Sequence, residues 1–118
     1  LRSSSAASDV YKRQFLGVMS QYFEVMESMH ALSADPEKSA IYQMHKLQEV
    51  FEERGEKAKI VGVMREVLER SRNPTLRNAA YMILGNVLSE TGKADEAVKA
   101  LRAGLEENLA RTGAGATR

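Results

Sequence analysis

Residues 78–111 read NAAYMILGNVLSETGKADEAVKALRAGLEENLAR. Two apolar series run through this stretch at helical spacing. Ala80, Ile83, Leu84, Val87 and Leu88 precede the Thr91-Gly92 break, and Ala97, Val98, Leu101 and Leu105 come after it. Returns at i+3, i+4 and i+7 place each series on one face of an α-helix. A glycine after the last periodic residue marks the helix end, because it takes positive φ without steric cost. The stretch therefore predicts two helices folded back on each other around Gly92.

Working outward, the same punctuation recurs. Asn73-Pro74 is a cap next to a proline whose missing N–H costs nothing at the first helical position. Asp35-Pro36 repeats it after Ser33-Ala34. Gly55 stands 37 residues before Gly92. Five helices are expected, over about residues 15–32, 36–54, 56–71, 74–90 and 94–110. In the first, Met19, Phe23, Met26 and Met29 recur at helical spacing; Ile41, Met44, Leu47 and Phe51 do so in the second. In the third, Ile60, Val63, Met64, Val67 and Leu68 form the expected core face. No segment alternates as a strand does, so the fold class is all-α. Residues 112–118, rich in Gly and Ala, are expected to form a flexible tail.

With Tyr81, Leu84-Gly85, Leu88, Gly92, Glu96-Ala97 and Leu101 in place, residues 78–111 resemble one tetratricopeptide repeat, a helix hairpin with a period of about 34 residues. The resemblance implies that Gly85 and Ala97 are small where paired helices press together, and that the leucines fill a shared core. Aligning Gly55 with Gly92 gives a degenerate copy over residues 41–74. There Met44, Leu47, Phe51, Ile60, Met64 and Val67 take the core positions, while Gln48 and Ile60 replace the small residues. Three extra residues fall in the connection at 71–74. The expected architecture is antiparallel helix pairs stacked as a short array over residues 15–111. Repeat arrays normally need about three units, so either the first helix completes the core or the protein self-associates.

The N-terminus has a different character. Residues 4–14, SSAASDVYKRQ, resemble over all eleven positions the in-frame translation of a sequencing-library adapter. On this reading residues 1–14 are a non-native leader, to be set aside before the fold is argued. The chain's 17 basic and 16 acidic residues then lose Arg2, Lys12 and Arg13 on one side and Asp9 on the other. Fourteen and fifteen remain, and the net charge moves from +1 to −1. Apparent basicity is thus no footprint for nucleic acid. Met19, opening MSQYFEVME, is the expected initiator; the alternative is that residue 15 onward continues a longer repeat protein.

Composition narrows the chemistry. With no Cys, disulfides, thiolate nucleophiles and Cys-based zinc sites are excluded, which fits a reducing cytoplasm. No apolar run approaches the roughly 18 residues of a membrane span. Six per cent aromatics without Trp make a poor stacking platform for single strands. Glu27 and His30 form one E-x-x-H tetrad, but di-iron bundles need two with further carboxylates. His45 is displaced from His30 by about 10 Å of helix rise when both are counted from the turn near Ala34. Glu49, Glu52 and Glu53 read as a solvated face. Lys57, Lys59, Arg65, Arg70, Arg72 and Arg77 interleave with Glu56, Glu66 and Glu69, which predicts local ion pairs.

The expectation is a non-enzyme without metal, cofactor or small-molecule substrate, whose partner is a protein or peptide. The alternative is a small helical regulator of nucleic acid. The resemblance implies that the first helix of each repeat lines a concave, peptide-gripping groove. Ala79, Met82, Ile83, Asn86, Ser89 and Glu90 hold those positions in one repeat, and Tyr42, His45, Lys46, Glu49 and Glu52 in the other. Asn86 falls where the family commonly uses an Asn, whose amide pairs with both a backbone N–H and a C=O. Basic residues around it are few, so the expected ligand carries apolar and basic side chains, facing Met82, Tyr42 and Glu49, rather than a terminal carboxylate.

Deleting residues 1–14 should leave the melting temperature unchanged; a loss of several degrees would show that they belong to the folded protein.

Overall fold

The computed structural model describes the backbone of residues 2–116 and the side chains of residues 5–113. Five helices form among the described residues: α1 (Arg2–Ala34), α2 (Pro36–Glu53), α3 (Ala58–Arg70), α4 (Pro74–Glu90) and α5 (Ala94–Ala116). No strand is present among them. They fall into two units, dividing between Ser39 and Ala40.

The first unit is essentially α1, and the helix is longer than the periodic residues suggest. It begins at Arg2 rather than near residue 15. The added stretch contains neither Gly nor Pro, and Ala6, Ala7, Lys12, Arg13 and Gln14 are good helix formers. Most of its apolar side chains, among them Phe15, Phe23, Met26 and Met29, are exposed, while Met19 and Leu32 are half-buried. The stop is the expected one. The Lys38 amide donates to the Asp35 carboxylate at 3.1 Å, and Ser39 Oγ donates back to the Leu32 carbonyl.

The second unit holds the core. Met44 of α2, Ile60 and Met64 of α3, Ala80, Ile83, Leu84, Val87 and Leu88 of α4, and Ala97 of α5 form one buried cluster. Each fully buried large side chain, such as Ile60 or Leu88, contributes about 1.5–3 kcal/mol. Close backbone approaches link α3 with α4 and α4 with α5, so the helices stack as pairs with α4 central. The α2 helix joins through side chains, the buried Met44 and the half-buried Phe51.

Two turns close the hairpins with one geometry. Gly55 has φ 70° and Gly92 φ 78°. After the first, the Glu56 amide donates to the Phe51 carbonyl at 2.7 Å; after the second, the Lys93 amide donates to the Leu88 carbonyl at 2.8 Å. This is the six-residue hydrogen-bonded helix stop that a left-handed glycine permits. At the start of α4, Asn73 Oδ1 accepts from the Thr75 and Leu76 amides at 2.9 and 3.1 Å, with Pro74 beside it. The last helix does not stop near residue 110. It continues to Ala116, past Thr112, whose hydroxyl donates to the Asn108 and Leu109 carbonyls. Of the expected tail, residues 117–118 lie outside the described backbone.

Small residues set the spacing of α4 and α5. A Cβ on Gly85 would stand 2.5 Å from Leu101 Cδ2, and one on Gly104 would stand 3.0 Å from Tyr81 Cβ. The first obstacle is the end of a half-exposed side chain that can swing outward. The second is the root of a side chain tied at its hydroxyl. Gly85→Leu should cost about 1–3 kcal/mol through overpacking. Among the milder changes, Gly104→Ala should melt below Gly85→Ala; the reverse order would show that the Leu101 side chain, not Tyr81, limits the approach.

Candidate functional site

Two groupings of side chains stand out, one structural and one open to solvent. The structural one centres on Arg77 in the first turns of α4. Its Nε and Nη2 donate to the two carboxylate oxygens of Glu107 on α5, each at 2.8 Å. Nη1 donates to the Leu68 carbonyl and, at 3.0 Å, to the Ser71 carbonyl where α3 ends. The Tyr81 hydroxyl donates to Glu107 and accepts from Arg77. One guanidinium thus ties the end of α3, the start of α4 and the middle of α5. A planar fork is suited to this, since it offers five donors in fixed directions.

That geometry sets the electrostatics. The bonds from Arg77, then from Tyr81, hold the Glu107 carboxyl down at about 2. Arg77 is pushed up, first by its bond to Glu107. Burial, then the bond to Glu107, raises the Tyr81 phenol. The trio's polar groups are turned on one another and on the end of α3, so the arrangement clamps three helices together. Sequence spacing places Arg77 among locally paired surface cations. Arg70–Glu66 at 3.0 Å and Lys59–Glu56 at 2.6 Å are such pairs. Arg77 instead reaches 30 residues ahead to Glu107, and Lys57 reaches 33 ahead to Glu90, at 3.1 Å.

The open grouping comprises the candidate peptide-binding residues. On α2, Tyr42, His45, Lys46 and Glu49 are all exposed. Three of them form one patch: Lys46 Nζ lies 3.3 Å from Glu49 Oε2 and 5.9 Å from the centre of the Tyr42 ring. On α4, Met82 and Asn86 are exposed while Ile83 is buried. Met82 keeps company with α5, lining a groove of about 320 Å³ with Leu101, Leu105 and Asn108. Asn86 makes no side-chain hydrogen bond among the described residues, leaving its amide free on the surface. Among the described residues no three His, Cys, Asp or Glu side chains are grouped to hold a metal ion, and no helix is long and apolar enough to cross a membrane.

The Glu107 clamp makes stability depend on acid. A carboxylate held at about 2, against an ordinary 4.5, stabilises the fold above the ordinary value and loses that contribution as pH falls from there toward 2. Thermal melts between pH 6 and pH 3 should therefore show a steeper decline in the parent than in Glu107→Gln, which has no carboxylate there to protonate. At neutral pH Arg77→Met should lose about 1.5–3 kcal/mol, the worth of hydrogen bonds to a charged group.

Comparison of the chain with protein-family models, with curated proteins and with solved structures finds no match.

Proposed function

We propose that this chain is a protein–protein interaction adaptor of the tetratricopeptide type, working without a cofactor and without catalysing a reaction. The observation that carries this reading is the duplicated helix hairpin. Two helix pairs turn at Gly55 and Gly92 with the same positive φ and the same amide-to-carbonyl closure. The first helix of each, α2 and α4, keeps its apolar residues at Met44, Ile83 and Leu84 buried and shows solvent a mixed polar and apolar surface. Such a surface suits a partner's chain better than a small substrate.

On α2 that surface offers an aromatic ring, a cation and a carboxylate in contact, Tyr42, Lys46 and Glu49, with His45 beside them. On α4 it offers the Met82 thioether and the Asn86 amide. A flexible, polarisable Met adapts to irregular apolar side chains. An Asn amide satisfies both the N–H and the C=O of an extended peptide. The ligand of this reading is a peptide or partner helix with apolar and basic side chains. The adapter-like reading of residues 1–14, and a cytoplasmic setting suggested by the Cys-free composition, belong to the same proposal.

A nucleic-acid regulator is the competing class. A salt-dependent gel shift on random duplex separates the two, since the adaptor should give no shift at physiological salt. For the adaptor itself, pull-downs from a native lysate would compare the parent with Tyr42→Ala/Asn86→Ala. Loss of specific partners in the double variant is the expected result. Identical partner lists with equal recovery would remove this surface as the binding site.

A further inference from the structure

The 37-residue interval between Gly55 and Gly92 gives each position of α2 and α3 a counterpart on α4 and α5. Burial does not respect the repeat. Met64 on α3 is 0% exposed, whereas its counterpart Leu101 on α5 is 48% exposed. Val61 and Leu68 are half-buried against the core, whereas their counterparts Val98 and Leu105 are more than half exposed. The difference has a cause: α4 packs on α3, and within the second unit no described helix takes the same place on α5.

The complementary half of that contact is open on α2. On α4 the residues Ala80, Ile83, Leu84 and Val87 are buried in the cluster that contains Ile60 and Met64. Their counterparts on α2 are Gln43, Lys46, Leu47 and Val50. These four line one shallow depression of about 420 Å³, and Leu47 and Val50 are exposed in it. One chain thus carries both halves of its own α3–α4 contact, unused, on different helices.

We propose that a second copy of this chain joins them: α2 of one copy packs on α5 of the next, head to tail, as α4 packs on α3 within the chain. Charge supports this register. The Lys57–Glu90 ion pair, 3.1 Å long, ties the start of α3 to the end of α4. In the intermolecular contact Glu53 takes the place of Glu90, and Lys93 stands one residue from the place of Lys57. Opposite charges therefore meet at the same corner. Two departures weaken the contact relative to its internal counterpart. Gln43 replaces Ala80, and Lys46 replaces Ile83, laying its methylene stem on the apolar surface while its ammonium stays at the rim beside Glu49. Because the two faces differ, the contact is heterologous, and copies add in open series or close as a ring.

The test uses the full chain and two double variants at exposed positions, Leu47→Glu/Val50→Glu on α2 and Val98→Glu/Leu105→Glu on α5. Circular dichroism melts confirm that both fold. Sedimentation from about 10 µM to about 1 mM, a range that populates contacts with Kd up to about 1 mM, should show the parent's average mass rising above that of one chain. Each variant alone should remain a monomer. An equimolar mixture should form a one-to-one complex and nothing larger, because each variant keeps the face the other has lost. A parent that is monomeric throughout overturns the proposal. So does an α2 variant that still self-associates, which would mean that two α5 faces pair symmetrically or that α1 mediates assembly.

Discussion

Between α4 and α5 the side chain of Leu101 occupies the space that a Cβ on Gly85 would need, and Tyr81 lies against the bare backbone of Gly104. Once the helices are that close, their relative register is fixed, and Arg77 can reach Glu107 with both ends of its fork. The same guanidinium also holds the last carbonyls of α3. The angle at which α3 meets α4 therefore depends on a bond made to α5. Buried ion pairs are often neutral in net stability, because desolvation offsets the attraction. Here the pair is partly exposed and all five guanidinium donors are satisfied, and its service is to fix geometry among three helices.

The two hairpins share a turn but not a packing distance. Glycine at positive φ dictates the turn in both, so the chain reverses identically at Gly55 and Gly92. The distance between the paired helices is set instead by side-chain volume. Gln48 stands where Gly85 does and Ile60 where Ala97 does. Among the described residues no such close approach joins α2 and α3, and the Gln48 amide is turned to Glu52 on its own helix. Buried Met44 and half-buried Phe51 bridge the wider gap. A long, adaptable side chain such as Met fills such a space at the expense of a single sharply defined fit.

Much of this fold is legible in the sequence because it is local. Caps, prolines and the two glycines act within a few residues, so the starts of α2 and α4 and both turns can be read directly. The core is legible in part: Ile60, Met64, Ala80 and Leu88 declare themselves by period. The same period also marks Leu47, Val98, Leu101 and Leu105, which are exposed because no described helix of the second unit covers that side of α2 or α5. The outer limits of α1 and α5 are not, because nothing punctuates residues 2–14 and Thr112 bonds back into its own helix. Nor is the Arg77 clamp, for pairing rules that look three or four residues away pass over a partner 30 residues off. A signal is present: Arg77 and Glu107 lie fifteen residues on either side of Gly92, so a hairpin turning there sets them opposite each other. For the candidate binding surface, exposure of Tyr42, Lys46 and Asn86 agrees with the helical period. The company of Met82, which lines a groove with α5, cannot be read from period, because period marks a face of a helix and not the neighbour that meets it.

A stacked array places its stability in the interfaces between neighbouring units. Helix α4 lies between α3 and α5 and buries residues against both, whereas α2 and α5 each keep an apolar face in solvent. Exposed leucines at Leu47, Leu101 and Leu105 do not destabilise a monomer directly. They do leave apolar area that a neighbour could cover, at roughly 25 cal/mol for each Å². Charged groups set which neighbour gains that free energy. In the proposed contact between copies, Glu53 at the end of α2 and Lys93 beside the start of α5 favour one orientation, while Lys46 in the middle of the α2 face penalises any partner that would bury its ammonium. On that proposal, the hairpin pattern that builds the core also sets the geometry by which a second copy extends it.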